Sequence, residues 1–357
     1  TDPESAQVMR DAVQFYAAFD FMPADTDLSA VYLRLLQDQV AGYYDNQTKH
    51  MNTITLDGQR PTDRIELLEQ AIYVHEYTHA LQDSNFNLSR IIPEDTSAPD
   101  FNTDAFQAHV SLIEGDAMLM MQRFIVYITE QNPLSAVNIL AASAQLPGGG
   151  QIPAGTPSIL EAELISPYLD GLNFVTTLYA QGGWDAVNAA YETLPASTEQ
   201  ILHPQKYLDG DMPMDVALRD STDILGEGWQ QLYYRPLGEF YLREYLATQL
   251  NPAEVSEAAT GWGGDRYQLF YNAEANQRAW VMRLMWDSPQ DSEEAMSAFE
   301  AFGTARYDAE RGMNSCWSND IDAMCLLFES DGSIMVSYAP TFAQAQLLIV
   351  NQTAMAQ

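Results

Sequence analysis

One stretch limits this chain more than any other. Ile65, Leu68, Ile72, His75 and His79 recur at spacings of 3, 4, 3 and 4 residues. That period is helical, so the five side chains share one face. The apolar members predict that the face is buried, and a buried face must satisfy the two imidazoles. Asp63, with Glu66 three residues on, has the form of an N-terminal capping box. The helix is expected to span about 63–85.

The same stretch spells HExxH, as His75-Glu76-Tyr77-Thr78-His79. Histidines at i and i+4 lie one turn apart and can hold a single zinc ion. Glu76 then projects beside the metal, where a carboxylate can take a proton from water and pass it to a leaving group. A surface helix with two histidines, or a hydrogen-bonded core pair, is the bland alternative. The histidines' place on the buried stripe favours the metal.

A catalytic zinc usually has a third protein ligand and keeps one position open. The pattern HExxHxxGxxH fails here, because Gln82 replaces its glycine and Asn85 its last histidine. An acid on a following helix is the next choice. Thr103 to about Glu130 reads as that helix, with Phe106, Val110, Ile113, Ala117 and Met121 on its apolar face. Glu114, between Ile113 and Gly115, is the expected third ligand. Gly115 and Ala117 are small and would let this helix approach the metal. Asp104 and Asp116 are rival ligands. Asp116 or Asp83 is a candidate to accept a hydrogen bond from a ligating histidine.

Charge excludes some partners. The chain of 357 residues carries 50 acids against 16 lysines and arginines, a net charge of −34. Such a surface repels nucleic acid and anionic lipid. No apolar run reaches the roughly 18 residues of a membrane span, so no transmembrane segment is expected. Apolar residues at 46% suit a folded globular chain. The acidity favours a secreted or cell-surface protein, as would a Cys316–Cys325 disulfide. Two buried thiols are the equal alternative. The opening Thr1-Asp2-Pro3-Glu4 carries no apolar leader, so one is expected to have been removed or the sequence trimmed.

Elsewhere the pattern is mainly helical. Ser5 to Phe19 and a segment after Asp27 read as amphipathic helices. Tyr43-Tyr44 and Met51 to Leu56 read as short strands about a turn at Asp45 to Lys49. The second of these is the candidate to border a cleft and pair with an extended peptide. Ser158 to about Leu250 reads as helical, broken at Gly182-Gly183, Pro195, Pro204 and Pro213. After Thr260 strands appear at Tyr267–Tyr271, Ala279–Trp286, Leu326–Glu329 and Ile334–Tyr338. Helices follow at Ser292–Ala305 and Thr341–Met355. The fold class is therefore α+β and mainly helical. A catalytic domain at 1–258 with a short edge sheet is expected, then a smaller α+β subdomain at 259–357 that can be integral to it.

His75 to His79 with a downstream Glu114 resembles the gluzincin arrangement of zinc metallopeptidases. More closely, the runs HEYTHALQD (75–83) and IEGDA (113–117) resemble a group of bacterial metallopeptidases of unassigned substrate. Gly42-Tyr43-Tyr44-Asp45, the stretch Ile201 to Tyr207 and Gly261 to Arg266 belong to the same resemblance, which spans Gly42 to about Asp287. It implies a zincin-like domain, one catalytic Zn2+, and a peptide or protein substrate. Gluzincins commonly add a tyrosine or histidine that stabilises the oxyanion. His203, Tyr207, Arg266 and Tyr267 are the candidates, with His203 and Tyr267 preferred. Two other readings stay open: a zinc amide or ester hydrolase that is no peptidase, and a non-catalytic binding protein that keeps the fold and metal. An intact Glu76 counts against the last, since a structural zinc needs no base.

Overall fold

The computed structural model describes residues 3–39, 42–53, 66–93, 95–143, 152–312 and 314–353. Helices α1 (Pro3–Ala18) and α2 (Leu28–Gln39) lead to a hairpin of β1 (Gly42–Asp45) and β2 (His50–Thr53). Next come α3 (Leu67–Phe86), the single turn α4 (Leu88–Ile91), the long α5 (Thr103–Gln131) and α6 (Leu134–Ser143). Helix α7 (Ser158–Glu192) and the short α8 (Thr198–Leu202) and α9 (Pro204–Asp209) close the helical part. Strand β3 (Trp229–Arg235), α10 (Gly238–Ala247) and α11 (Pro252–Ala259) follow. The chain ends with β4 (Trp262–Asn272), β5 (Gln277–Trp286), α12 (Pro289–Tyr307), β6 (Cys316–Ser318), β7 (Ala323–Phe328), β8 (Ile334–Ala339) and α13 (Phe342–Thr353).

The class is α+β, with a six-stranded antiparallel sheet in the order β3-β4-β5-β8-β7-β6. Both of its faces are covered. Leu269, Trp280 and Val336 point to one face, into a core shared with Phe19 of the α1 segment, Tyr245 of α10 and Phe299 of α12. Phe270, Val281 and Ala339 point to the other, against Leu348 and Ile349 of α13. This is the period of 2 expected of strands. Trp280 is fully buried, donates its indole N–H to Ala18 O at 2.8 Å and stacks on Phe19.

One feature departs from expectation. Residues 229–235 form a strand, not part of a helical stretch, and it lies at the sheet edge with a register shift between Gln231 and Tyr233. The sheet core therefore draws on residues from both sides of the expected boundary at 258/259, and on α1 from the chain's other end. Cys316 and Cys325 face each other across β6 and β7 and are joined in a disulfide. Among the described residues, no helix is long and apolar enough to cross a membrane.

Helix α3 forms as its spacing dictates, with a small shift of face. Asp63 and Ile65 lie outside the described residues, as does the stretch 54–56 of the expected second strand. The helix opens at Leu67, where the Glu69 carboxylate accepts the Glu66 backbone N–H at 3.1 Å. Its buried residues are Ala71, His75, Thr78, Gln82 and Asp83. The buried face is thus largely polar, and it lies against α5.

Candidate metal centre

Two helices bring three side chains of metal-ligating type to one point. His75 and His79 come from successive turns of α3, and Glu114 from the middle of α5. His75 Nε2 lies 3.1 Å from Glu114 Oε2 and 3.1 Å from His79 Nε2. His79 Nε2 lies 3.5 Å from the same oxygen. One ligand atom from each residue falls within 4.8 Å of the others. Burial works against the charge on Glu114, yet the two imidazoles outweigh it and hold the carboxyl down to about 2. Burial also opposes a charged His79, but Glu114 prevails and carries it up to about 9. The point where these atoms meet therefore favours positive charge. Two imidazoles and one carboxylate are the donor set of a catalytic zinc, with a position left over.

A chain of hydrogen bonds fixes which atom of His79 faces that point. The Gln82 amide N–H groups go to Ile113 O at 3.0 Å and Asp116 Oδ2 at 2.9 Å. Its carbonyl oxygen must then be the atom 2.9 Å from His79 Nδ1. Nδ1 carries the proton, and the Nε2 lone pair is left for a cation. Tyr191 donates to Asp116 at 2.9 Å and anchors the far end. It arrives from the second half of α7, past a kink at Gly182-Gly183. The acceptor for His79 is thus Gln82; Asp116 acts only through it. Asp83 instead accepts from the Tyr44 hydroxyl at 2.7 Å and from Lys49 at 2.5 Å. Asp104 is buried away from the cluster and accepts from Thr198. Nδ1 of His75 is buried with no hydrogen-bond partner among the described residues.

Glu76 stands beside the cluster, under the hairpin. The Tyr44 backbone N–H donates to its Oε2 at 2.9 Å. Burial raises its carboxyl above the usual range, against the pull of His79, His75 and that N–H. The strand that reaches Glu76 is β1, with β2 paired to it.

The structure does not bring His203 or Tyr267 to the cluster. His203 Nε2 is 3.0 Å from Glu239 of α10. Tyr267 is buried among Phe15 and Phe19, where a sheet strand packs on α1. Tyr207 donates to Thr193 O, and Arg266 to Val216 O. The aromatic hydroxyl that does adjoin the ligands is Tyr168 of α7. Its ring lies over His75 with centroids 6.0 Å apart, and its hydroxyl feels the charges of Glu114 and Glu76. Burial first, then the charges of Glu114 and Glu76, push this phenol well up. No local motif marks Tyr168, and only the packing of α7 on α5 reveals it.

That packing has an unusual contact. A Cβ placed on Gly115 would lie 2.1 Å from Gly171 O, and one on Gly171 would lie 2.1 Å from Ser111 O. The two backbones touch. The small residue beside Glu114 thus admits α7, not the metal helix as expected.

Residues 230–348 match a domain of unknown function (DUF8575). No curated protein and no solved structure matches the chain. The matched segment runs from β3 to α13 and holds the sheet. The ligand cluster and Glu76 lie outside it.

Proposed function

We propose that this chain is a zinc-dependent metallopeptidase, with a zincin-like catalytic unit formed by α3, α5, α7 and the β1–β2 hairpin. One observation carries the reading: His75, His79 and Glu114 converge within 4.8 Å while Glu76 stands next to them. Zinc, when bound, supplies Lewis acidity, making water a nucleophile near neutral pH and polarising a carbonyl. Glu76 keeps Oε2 on the Tyr44 N–H and offers Oε1 to the water. It takes one proton as the water oxygen attacks the carbonyl carbon. It returns that proton to the amine nitrogen as the C–N bond breaks. Tyr168 is placed to donate its hydroxyl to the oxygen that gains charge.

Peptide bonds as the substrate rest on the resemblance of the HEYTHALQD and IEGDA runs to bacterial metallopeptidases. An extracellular or cell-surface location is part of the proposal, supported by the disulfide and by the acidity of the chain.

Metal analysis of the purified chain tests the core of this reading. One zinc per chain is expected, removable by chelation with loss of hydrolysis of an unstructured protein. Full hydrolysis after complete chelation would refute it, as would a His79→Ala chain that keeps its zinc.

A further inference from the structure

A cavity of about 380 Å3 lies between α1, α5, α7 and the β3–β4 edge of the sheet. Its walls are mainly apolar and aromatic, with Phe15 from α1, Phe106 and Val110 from α5, and Tyr233 from β3. None of the metal-binding residues lines it. Its volume falls in the range of small-molecule sites, roughly 300–1,000 Å3.

One carboxyl group and one guanidinium line this space, and they differ in how they are satisfied. Glu163 accepts from the Tyr16 hydroxyl at 2.9 Å and from Tyr241 at 2.7 Å. Burial carries its carboxyl up to about 7 against those bonds. Glu163 thus holds a proton easily and needs no cation. Arg235 is different. It is only 6% exposed, and its guanidinium lies 3.9 Å over the Tyr233 ring. Nη2 donates to Ala98 O at 2.9 Å and Nε to Pro99 O at 3.3 Å. Nη1 donates to nothing, and no carboxylate pairs with this arginine, among the described residues. Carbonyls satisfy N–H groups but do not cancel a charge, and a buried charge without a counter-charge is costly. This occurs in a chain with 50 acids and 16 lysines and arginines, where acids to pair with are abundant.

We propose that the cavity binds a small organic carboxylate with an apolar body, paired through its carboxylate with Arg235. The planar guanidinium matches a carboxylate with two parallel N–H donors. A monoanion cancels the single buried charge, whereas a phosphate dianion would overcompensate it beside Glu163. Phe15, Phe106 and Val110 cover the body of the ligand. The site is separate from the metal centre but not remote from it: Val110 lies one turn before Glu114 on α5.

The test is calorimetric titration of the full chain, as purified and after chelation, with hydrocinnamate and octanoate against hydrocinnamamide and octanamide. Both acids are expected to bind about tenfold or more tighter than their amides, with or without metal. Arg235→Gln is expected to erase that preference. Should that variant not fold, Val110→Trp fills the cavity without touching the arginine, and is expected to abolish binding of both acids. Equal binding of acid and amide, no binding of either acid, or unchanged binding to Val110→Trp would overturn the proposal. Acid binding that vanishes on chelation would also overturn it, by assigning the carboxylate to the metal. The metal reading fails separately, by the zinc content.

Discussion

The helices of the candidate metal centre and the six-stranded sheet solve opposite problems. The sheet buries Trp262, Trp280, Phe270 and Phe299, and its stability comes from apolar area removed from water. The buried face of α3 carries His75, Thr78, Gln82 and Asp83, which gain little from leaving water. What those residues gain is orientation: Tyr191, Asp116, Gln82 and His79 form one line of hydrogen bonds ending at the metal point. The match to a domain of unknown function falls on the sheet, and the candidate metal centre on the helices. The match and the candidate metal centre thus lie on different parts of one chain, and a matching scaffold need not indicate what a site does.

The contrast can be broken most directly at the base. Glu76→Gln keeps the shape and removes the proton acceptor. Peptide hydrolysis should fall by about 10²–10⁴, with zinc content and thermal stability unchanged, as read by turnover assays beside metal analysis. A matching loss of zinc would make Glu76 a ligand, and the separation of roles would collapse.

The sheet should show the reverse. Trp280→Ala leaves a large void and should cost about 3–5 kcal/mol in denaturant unfolding. Chains that remain folded should bind zinc as before. A loss of metal affinity proportionate to the lost stability would show that the two regions are one cooperative unit.

Gln82→Leu sharpens the comparison from within the helices. It removes the acceptor for His79 Nδ1 and leaves Asp116 short of a donor. Metal affinity should weaken by about 10–100-fold, measured by competition with a chelating dye. Unaltered affinity would mean that packing alone orients His79.

The smallest effect concerns pH. Glu163 has its carboxyl raised from 4.5 to about 7, so the folded chain holds that proton more tightly than the unfolded one. Its unfavourable contribution is absent below about 4.5 and grows as pH rises toward about 7, so stability declines across that window. Glu163→Gln should flatten the decline by on the order of 1 kcal/mol when unfolding of metal-free protein is followed between these limits. A parallel shift of both curves would assign the decline to other groups.

Much of the site was legible because its signals are local. An i, i+4 histidine pair reads directly from the chain, and Glu114 follows from the helix that must pack beside it. Tyr168 was not legible, since its approach depends on α7 crossing α5. The role of Gln82 was hidden behind a pattern in which it marks an absence. In the sheet, β4, β5, β7 and β8 announced themselves by their apolar runs. Strand β3 did not: Trp229 to Arg235 is half-buried through most of its length, and its register shift interrupts the alternation that would reveal it. A helical reading therefore absorbs the edge strand, and the sheet joins 229–235 to 259–357 as the integral alternative allows.

The touching backbones of Gly115 and Gly171 have a consequence for repair. An oversized side chain in a packed core is often accommodated when a neighbour is trimmed. Here neither partner has a side chain to trim, and the colliding atoms are main-chain oxygens. A second substitution at the facing glycine can only add bulk. The spacing between the helix that bears Glu114 and the helix that bears Tyr168 thus has no compensating mutation at the contact. It can be restored only by reversion or by moving an entire helix.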